Sequence, residues 1–143
     1  MQVDVELHPG PLPPAPPWHI DTAGAAIRFE GVVRPTEQGQ PLVALDYQQY
    51  PPMTERELRR LAEQIAQQHG LLGLRVAHSH GRVPVGKVSF RLDVASKHRA
   101  EGLAAMDAFI NRLKREVPLW KLPVYATASA PTSAPTHPEG ATP

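Results

Sequence analysis

Residues 96–121 have the sequence SKHRAEGLAAMDAFINRLKREVPLWK, in which apolar side chains recur at the spacing of an amphipathic helix. Apolar residues three and four positions apart fall on one face of a helix, so this face is predicted to be buried. The predicted apolar face consists of Leu103, Met106, Phe109, Ile110 and Leu113. Pro118 ends the predicted helix, because a proline disfavours helical geometry in the residue before it.

Both ends of this predicted helix carry cationic side chains. Ser96 is the predicted N-cap, and Lys97, His98 and Arg99 follow it. Cations are unfavourable at the positive end of the helix dipole, where acidic residues are preferred. An anion bound to the free N–H groups of the first turn would offset this cost, so the sequence predicts an anion site at the helix start. Near the other end, Lys114 and Arg115 taken alone are better explained by simple complementation of the dipole.

The remaining patterns predict four strands and a second helix. Alternating apolar and polar residues indicate half-buried strands, and an apolar stripe between a capping box and a glycine indicates a helix. In chain order, the predictions are a strand from Ala25 to Arg34, a turn over residues 36–41, a strand through Val43, Leu45 and Tyr47, a helix from Thr54 (capping box with Glu57) to about Gln68 before Gly70, a strand from Leu74, a turn over residues 83–86, and a strand from Val88 to Val94. This order predicts an α+β fold, in which two main helices pack on one side of an antiparallel or mixed sheet.

Prolines divide the chain into three predicted regions. Residues 1–19 are predicted to form a short strand and a proline-rich arm, because six prolines lie between Pro9 and Pro17. Residues 20–125 contain the predicted domain. Residues 126–143 are small, polar and proline-rich, with little apolar surface to bury, and are predicted to be a disordered tail.

Composition narrows the classes of protein. A length of 143 residues suits one domain, and a formal charge of +1 argues against general nucleic-acid binding, which normally needs a basic face. The absence of cysteine excludes a disulfide framework and a thiolate nucleophile. The sequence has no apolar run of the length of a membrane helix and no signal-peptide pattern, so a cytoplasmic protein without a membrane partner is predicted.

Motifs for several common chemistries are missing from the sequence. It has no Walker-type phosphate loop, no G-x-G-x-x-G unit and no G-x-S-x-G elbow. His78 and His80 are two apart on a predicted strand and would share a face, but no third metal ligand is evident. A structural or surface histidine pair is therefore favoured over zinc, and neither a metal nor a cofactor is predicted.

Five short motifs follow one another in an order that is typical of one protein family. They are F-x-G-x-V-R at Phe29, Gly31, Val33 and Arg34; Y-P-x-M-T at Tyr50, Pro51, Met53 and Thr54; A-S-x-H-R at Ser96, His98 and Arg99; L-K at Leu113 and Lys114; and P-L-W-K at Pro118, Leu119, Trp120 and Lys121. Each motif alone is weak, but with this order and spacing the chain resembles the catalytic (large) subunit of molybdopterin synthase from about Gly24 to Lys121. The resemblance implies the α/β-hammerhead fold of that family.

The resemblance also implies an activity and partners. The activity is that of a sulfurtransferase, which converts cyclic pyranopterin monophosphate to the dithiolene of molybdopterin. The sulfur donor would be the thiocarboxylate at the Gly-Gly C-terminus of a small ubiquitin-like subunit, and two large subunits would form a homodimer within a heterotetramer. A partner that supplies the sulfur agrees with the absence of cysteine from this chain.

Roles for individual residues follow from the same resemblance. Lys114 is expected to be the principal catalytic lysine, acting in proton transfer or in polarising the attacked centre, and Lys121 is expected to act beside it. Arg34, His98 and Arg99 are expected to hold the phosphate and the pterin. The expected lining of the pocket is completed by Gly31, Val32, Val33, Leu122 and Pro123.

The predicted helix separates two of these residues. Arg99 and Lys114 lie on the order of 22 Å apart, at about 1.5 Å per helical residue. A small substrate cannot easily touch both on one chain. Either two separate sites exist, or a two-fold dimer brings the helix start of one subunit near the helix end of the other, and the second arrangement is favoured.

The sequence departs from the family's pattern at several positions. Pro123 stands where the family typically has a glutamate, Val32 where it typically has a basic residue, and no tryptophan follows Trp120. An active enzyme remains the main prediction because both lysines are present. The alternatives are a non-catalytic relative, which binds the small-subunit tail or an anionic ligand without sulfur transfer, and a plain anion or nucleotide sensor that uses residues 97–99.

Overall fold

A computed structural model describes residues 1–126 and the backbone of residues 139–141. In chain order, the elements are β1 (Gln2–Pro9), β2 (Ala25–Val32), β3 (Thr36–Glu37), β4 (Gln40–Gln49), α1 (Met53–Gln68), β5 (Gly73–Pro84), β6 (Val88–Ser96), α2 (Arg99–Glu116), β7 (Leu119–Tyr125) and β8 (Glu139–Ala141). The strand order across the sheet is β2-β6-β5-β4-β7-β8, with β1 beside β5 and β3 beside β4. The β1–β5 pair is parallel and the other pairs are antiparallel. Because α1 and α2 contact each other and pack on this mixed sheet, the predicted α+β fold is confirmed.

Strand β5 joins two parts of the sheet. Its residues 73–80 pair with β1, whereas its residues 81–84 pair with β4. Gly81 stands at this change of partner with a φ of +81°, in the left-handed region that favours glycine. One continuous strand therefore connects the part of the sheet that packs against the helices to β4 and, through β4, to β7.

Helix α1 buries its predicted apolar stripe but begins differently from the prediction. Gly70 follows the helix with a φ of +61°, as expected for a residue that ends a helix. The predicted capping box of Thr54 and Glu57 is wrong, because Pro52 is the N-cap and Thr54 lies inside α1. The buried Thr54 hydroxyl donates to the carbonyl of Pro118 at 2.6 Å, so a tertiary contact replaces the local cap.

Helix α2 begins later than predicted and is rotated about its axis. His98, not Ser96, is the N-cap, and Ser96 ends β6 with its hydroxyl donating to the carbonyl of His98 at 2.6 Å. Leu103, which was predicted to be buried, is 53% exposed, whereas Gly102 is buried. A Cβ at Gly102 would lie 2.7 Å from the Ser96 hydroxyl oxygen. The helix therefore contacts β6 through a glycine that the apolar pattern does not mark.

Strand β7 was not predicted from the sequence. It pairs with β4, and Pro123, a residue that normally disfavours a strand interior, lies opposite Leu45. The backbone of residues 139–141 forms β8 beside Trp120 and Lys121, where a disordered tail was predicted. The rest of the predicted tail, residues 127–138 and 142–143, lies outside the described residues.

Two strands differ from their predicted patterns. β2 ends at Val32, two residues before Arg34. In β4 the pairing shifts between Leu42 and Ala44, and this β-bulge leaves Val43 46% exposed although simple alternation would place it with the buried residues.

The proline-rich arm is bound to the sheet. The N–H of Leu12 donates to the carbonyl of Val88 at 2.9 Å. Arg28 and Arg91 donate to backbone carbonyls of residues 13–16 at 2.8–2.9 Å. Prolines lack an N–H donor but keep the carbonyl acceptor, so a proline-rich segment suits a surface that supplies arginine donors. The arm covers the polar face of β6, which alternation alone would leave in water.

Beneath the arm, Asp93 is buried between two arginines. It is 3% exposed and accepts hydrogen bonds from Arg28 at 2.7 Å and from Arg75 at 3.0 Å. The hydrogen bond to Asp93 raises the pKa of the Arg28 guanidinium above its usual value. Trp18 of the arm lies over the Arg75 guanidinium at 5.4 Å. One carboxylate thus ties β2, β5 and β6 to the segment that covers them.

Replacing Asp93 by asparagine should destabilise the fold strongly. Asp93→Asn leaves Arg28 and Arg75 without their shared counter-charge, and the expected loss is about 3 kcal/mol of unfolding free energy. Glu6→Gln is the control, because the Glu6–His8 pair is exposed on the glutamate side and should change stability by less than about 0.5 kcal/mol. Urea denaturation measures both losses, and equal losses would contradict the role assigned to Asp93.

His78 is a fully buried core residue rather than a surface histidine. Its Nδ1 lies 2.8 Å from the carbonyl of Ser79 and therefore carries the proton, while Nε2 has no hydrogen-bond partner in the described part of the chain. The rings of Tyr47 and Phe90 lie 5.1 and 5.6 Å away. Burial lowers the pKa of His78 from 6.5 to about 4, because the charged imidazolium would lose its hydration.

Acidification from about pH 7 to about pH 4 should remove roughly 3 kcal/mol of stability through His78. The folded-state pKa lies below the unfolded value, so between the two the unfolded chain binds a proton that the folded chain does not. The contribution is complete above the unfolded pKa and is lost as the pH falls toward the folded one. His78→Asn keeps a donor towards Ser79 but does not titrate, so its unfolding free energy should fall less over the same range. Identical pH dependence in denaturant titrations of the two proteins would contradict a buried neutral imidazole.

Candidate functional site

A cavity of about 470 Å³ opens where β2, β3, β4, β6, α2 and β7 meet. Its charged lining residues are Glu30, Arg34, Glu37, Lys114 and Lys121. Its uncharged lining includes Leu45, Ile110, Tyr47 and Ser89, and the hydroxyls of Tyr47 and Ser89 share a hydrogen bond of 3.0 Å. This volume lies in the range of small-molecule binding sites.

Three cationic side chains reach the cavity from different parts of the chain. Arg34 follows β2, Lys114 lies in the last turn of α2, and Lys121 lies on β7 opposite Tyr47 of β4. The β4–β7 pairing is what brings Lys121 to the same space as Arg34. Lys114 is exposed and forms no ion pair with any residue in the described part of the chain.

Glu37 connects two of these cations and was not predicted from the sequence. Its Oε2 lies 3.2 Å from Nζ of Lys121, and its Oε1 lies 3.6 Å from a terminal guanidinium nitrogen of Arg34. The side chain is only 11% exposed. β3 and β4 form a tight hairpin here, with positive φ at both Gln38 and Gly39. The one available sequence signal was this turn, which does not indicate where the Glu37 side chain points.

Glu30, the other carboxylate of the cavity, is held elsewhere. It accepts a hydrogen bond of 2.7 Å from Arg91, a largely buried residue that does not line the cavity. Glu30 is thus paired with a residue outside the cavity lining. The other charged groups that line the cavity are those of Arg34, Glu37, Lys114 and Lys121. Such a site can hold an anion and place ammonium groups beside it.

Lys114 also borders a second groove, of about 350 Å³. That groove is lined by Met53, Val117, Pro118 and Trp120, together with charged residues of α1 and α2. Lys114 is therefore shared by a cationic cavity and a more apolar groove, and two reactants can approach it from different directions.

The structure brings together some of the predicted site residues. Gly31, Val32, Arg34, Lys114 and Lys121 line the cavity. The other predicted residues do not line it: Val33 is buried in the core with its N–H bonded to the carbonyl of Lys87, Leu122 and Pro123 lie on β7 opposite Asp46 and Leu45, and His98 and Arg99 are exposed at the start of α2. Their roles in substrate binding stay predictions.

The anion site was predicted because basic residues surround the start of α2, but an acidic residue lies there as well. Glu101 lies in the first turn, and its carboxylate accepts a hydrogen bond of 3.4 Å from the N–H of His98. An acidic side chain therefore already lies beside the positive end of the helix dipole. The basic residues 97–99 alone did not predict this. Arg99 and Lys114 lie at opposite ends of α2, so one described chain does not unite them.

Two classes of feature are absent from the described residues. Within them, no three histidine, aspartate or glutamate side chains come close enough to hold a metal ion. None of the helices in the described ranges has the length and apolar character needed to cross a membrane.

Comparisons with known proteins give consistent matches. A family model described as MoaE protein matches residues 17–116. The chain is 37% identical over 106 residues to the molybdopterin synthase catalytic subunit of Homo sapiens, which covers 74% of this chain and 56% of that protein. It is similar to the structure of molybdopterin synthase from Staphylococcus aureus, with a TM-score of 0.71, 26% identity and coverage of 77% and 80% of the two chains. It is also similar in fold to a chain in the complex of subunits 1 and 2 of molybdopterin-converting factor from Helicobacter pylori, with a TM-score of 0.66, 23% identity and coverage of 87% and 91%. The chain spans about half the length of the curated relatives that it matches first.

Proposed function

The chain belongs to the MoaE protein family, and from this premise we propose that it performs the sulfur insertion of a molybdopterin synthase. The substrate is cyclic pyranopterin monophosphate, and the product carries the two sulfurs of the molybdopterin dithiolene. A thiocarboxylate holds one sulfur, so two donor molecules are consumed for each substrate. Membership of the family is the outcome that the five motifs predicted.

The observation that supports this proposal most is the convergence of Arg34, Lys114 and Lys121 on one cavity of about 470 Å³. Sites for small molecules typically have volumes of about 300–1,000 Å³, and cationic side chains suit a phosphorylated ligand. These residues come from three separate elements, so their convergence is a property of the fold and not of a local motif.

Each cation has a distinct proposed role. Lys114 is the principal catalytic lysine, because its exposed ammonium group is shared by the cavity and the groove beside it. It transfers protons or polarises the attacked centre. Lys121 acts beside it on substrate and donor, and Arg34 holds the phosphate, since a guanidinium suits a phosphate group. Gly31 and Val32 complete the wall next to Arg34.

The sulfur donor is a small ubiquitin-like subunit with a Gly-Gly thiocarboxylate. The Helicobacter pylori protein of similar fold was solved in a complex of subunits 1 and 2 of molybdopterin-converting factor, and a second subunit is accordingly part of this proposal. The groove lined by Met53, Pro118 and Trp120 also borders Lys114, and its partly apolar lining suits the approach of a peptide tail.

His98 and Arg99 complete the site from a second copy of the chain. Both are exposed at the far end of α2 from Lys114, on the order of 22 Å away along the helix. In a two-fold homodimer within the heterotetramer, the start of one α2 faces the end of the other, and each site contains residues of both copies.

Lys114→Ala should abolish turnover while the protein stays folded. Loss of a proton-transferring group typically lowers a rate by a factor of roughly 10²–10⁴. The unchanged chain should complement a cell that lacks its large subunit, Lys114→Ala should not, and Lys87→Ala, which removes an exposed lysine outside the cavity, should. Circular dichroism and the thermal midpoint check folding. Complementation by Lys114→Ala would remove its catalytic assignment. Failure of the unchanged chain to complement, with small-subunit binding retained, would instead support the non-catalytic relative, in which Pro123 replaces the family's typical glutamate.

Mixed dimers test the shared site. A His98→Ala/Arg99→Ala chain and a Lys114→Ala chain should each be inactive alone. In a dimer that contains one of each, one site regains a complete set of residues and the other loses both. Random mixing in equal amounts should restore about a quarter of the activity of the unchanged protein, because half of the dimers are mixed and each has one working site. Absence of any recovery in dimers confirmed by native mass spectrometry would contradict the arrangement.

A further inference from the structure

Glu37 occupies the position where an anionic ligand would contact both Arg34 and Lys121. Its two carboxylate oxygens face different cations, at 3.6 Å and 3.2 Å. Both contacts lie at the cavity lined by all three residues. A carboxylate that engages two cations with separate oxygens resembles, in charge and geometry, an external anion bound there.

The charge of the cavity depends on this residue. Arg34, Lys114 and Lys121 contribute three positive charges, and Glu30 is engaged by Arg91 from outside the lining. Glu37 is therefore the carboxylate that offsets the cavity's own cations. An anion that enters beside Arg34 and Lys121 meets a negative charge within a few ångströms, unless Glu37 moves away.

The local structure allows such a movement. Glu37 lies on β3, which has two residues and pairs only with β4 in the described chain. Arg34 is 76% exposed on its side chain, so its contact with Glu37 is screened by water and contributes little. The position of the Glu37 side chain is held mainly by its shorter contact, with Lys121, whose side chain is 23% exposed.

We propose that Glu37 is a positioning residue of this site, whose carboxylate fills the anion subsite of Arg34 and Lys121 and is exchanged for the anionic group of the ligand. Every anion that displaces Glu37 must offset the lost attraction between this carboxylate and the two cations, and that cost is the same for all ligands. A dianionic phosphate group gains additional attraction from the same two cations. Glu37 thus lowers the affinity of the site for all external anions by the same factor, whereas a preference for phosphate over carboxylate comes from the cations. The identification of the exchanged ligand as the substrate rests on the proposed function, whereas the anion exchange itself does not.

Anion binding to the full chain tests this exchange directly. Inorganic phosphate, at a pH where it is mostly dianionic, and acetate are the two probes, and isothermal titration calorimetry measures their affinities. The unchanged chain should prefer phosphate. Glu37→Gln should bind phosphate and acetate each on the order of tenfold more tightly, so that the preference for phosphate stays the same. Unchanged or weaker binding of phosphate in Glu37→Gln would overturn the proposal, as would a gain for only one of the two anions.

Three further variants separate the exchange from a general effect of net charge or of folding. Glu63→Gln makes the same change in net charge, but Glu63 is exposed on α1 and lines neither the cavity nor the groove beside Lys114, so anion binding should not change. Glu37→Asp keeps the charge on a shorter side chain and should bind phosphate less tightly than Glu37→Gln does. Lys121→Ala should lose the phosphate binding, and its retention would also overturn the proposal.

Kinetics separate this inference from the proposed function. In an active synthase, Glu37→Gln should lower KM for the phosphorylated substrate and also lower kcat, because Lys121 loses the carboxylate that positions it. A purely structural role of Glu37 would instead raise KM and lower kcat together. If the calorimetric result holds and no synthase activity is found, the proposed function fails and the exchange stands. If activity is found and phosphate affinity is insensitive to Glu37→Gln, the exchange fails and the function stands.

Discussion

Strand β5 is the constraint on which the rest of the structure depends. Its first eight residues pair with β1, and its last four pair with β4. β4 then carries β7 on its other side and β3 at its start. The cavity residues Glu37 and Lys121 are therefore positioned through a chain of backbone hydrogen bonds that begins at β5. The change of partner requires Gly81, whose positive φ other residues adopt at a cost.

The two faces of this sheet are covered in different ways, and both coverings are specific. On one face, the helices pack over apolar residues such as Phe90 and Leu92. On the other, the proline-rich arm lies over Arg91 and Asp93, whose charges are satisfied by neighbouring strands and by arm carbonyls. Buried charged groups are costly unless they are paired, so this face tolerates one arrangement of the arm rather than many. An arm that resembled a free linker in sequence is thereby part of the fold.

The cavity combines residues that the resemblance predicted with one that it did not predict. The lysines and Arg34 stand where the family's motifs place them, and all three line one space. Pro123 on β7 stands where the resemblance led us to expect a glutamate. The carboxylate beside Lys121 instead comes from Glu37 on β3. A site rich in cations holds anions well but binds them unselectively. A single internal carboxylate lowers the affinity of such a site for external anions, because an entering anion must displace it.

The sequence by itself determined the α+β class, most strand and helix positions, and the family, because alternation, helical spacing and five ordered motifs are local patterns. It did not determine the burial of Gly102 in place of Leu103, because the contact with Ser96 that selects one helix face involves another element. Strand β7 escaped prediction because Pro123 contradicts local strand preference, and only the pairing with β4 outweighs that preference. The contacts of Glu37 likewise depended on tertiary structure. Its position in a tight hairpin was visible in the sequence, but its two cationic partners come from the segment after β2 and from β7, and the fold brings them within 3.6 Å. Local patterns report what a segment prefers, whereas the site is made by contacts between segments that are far apart in the chain.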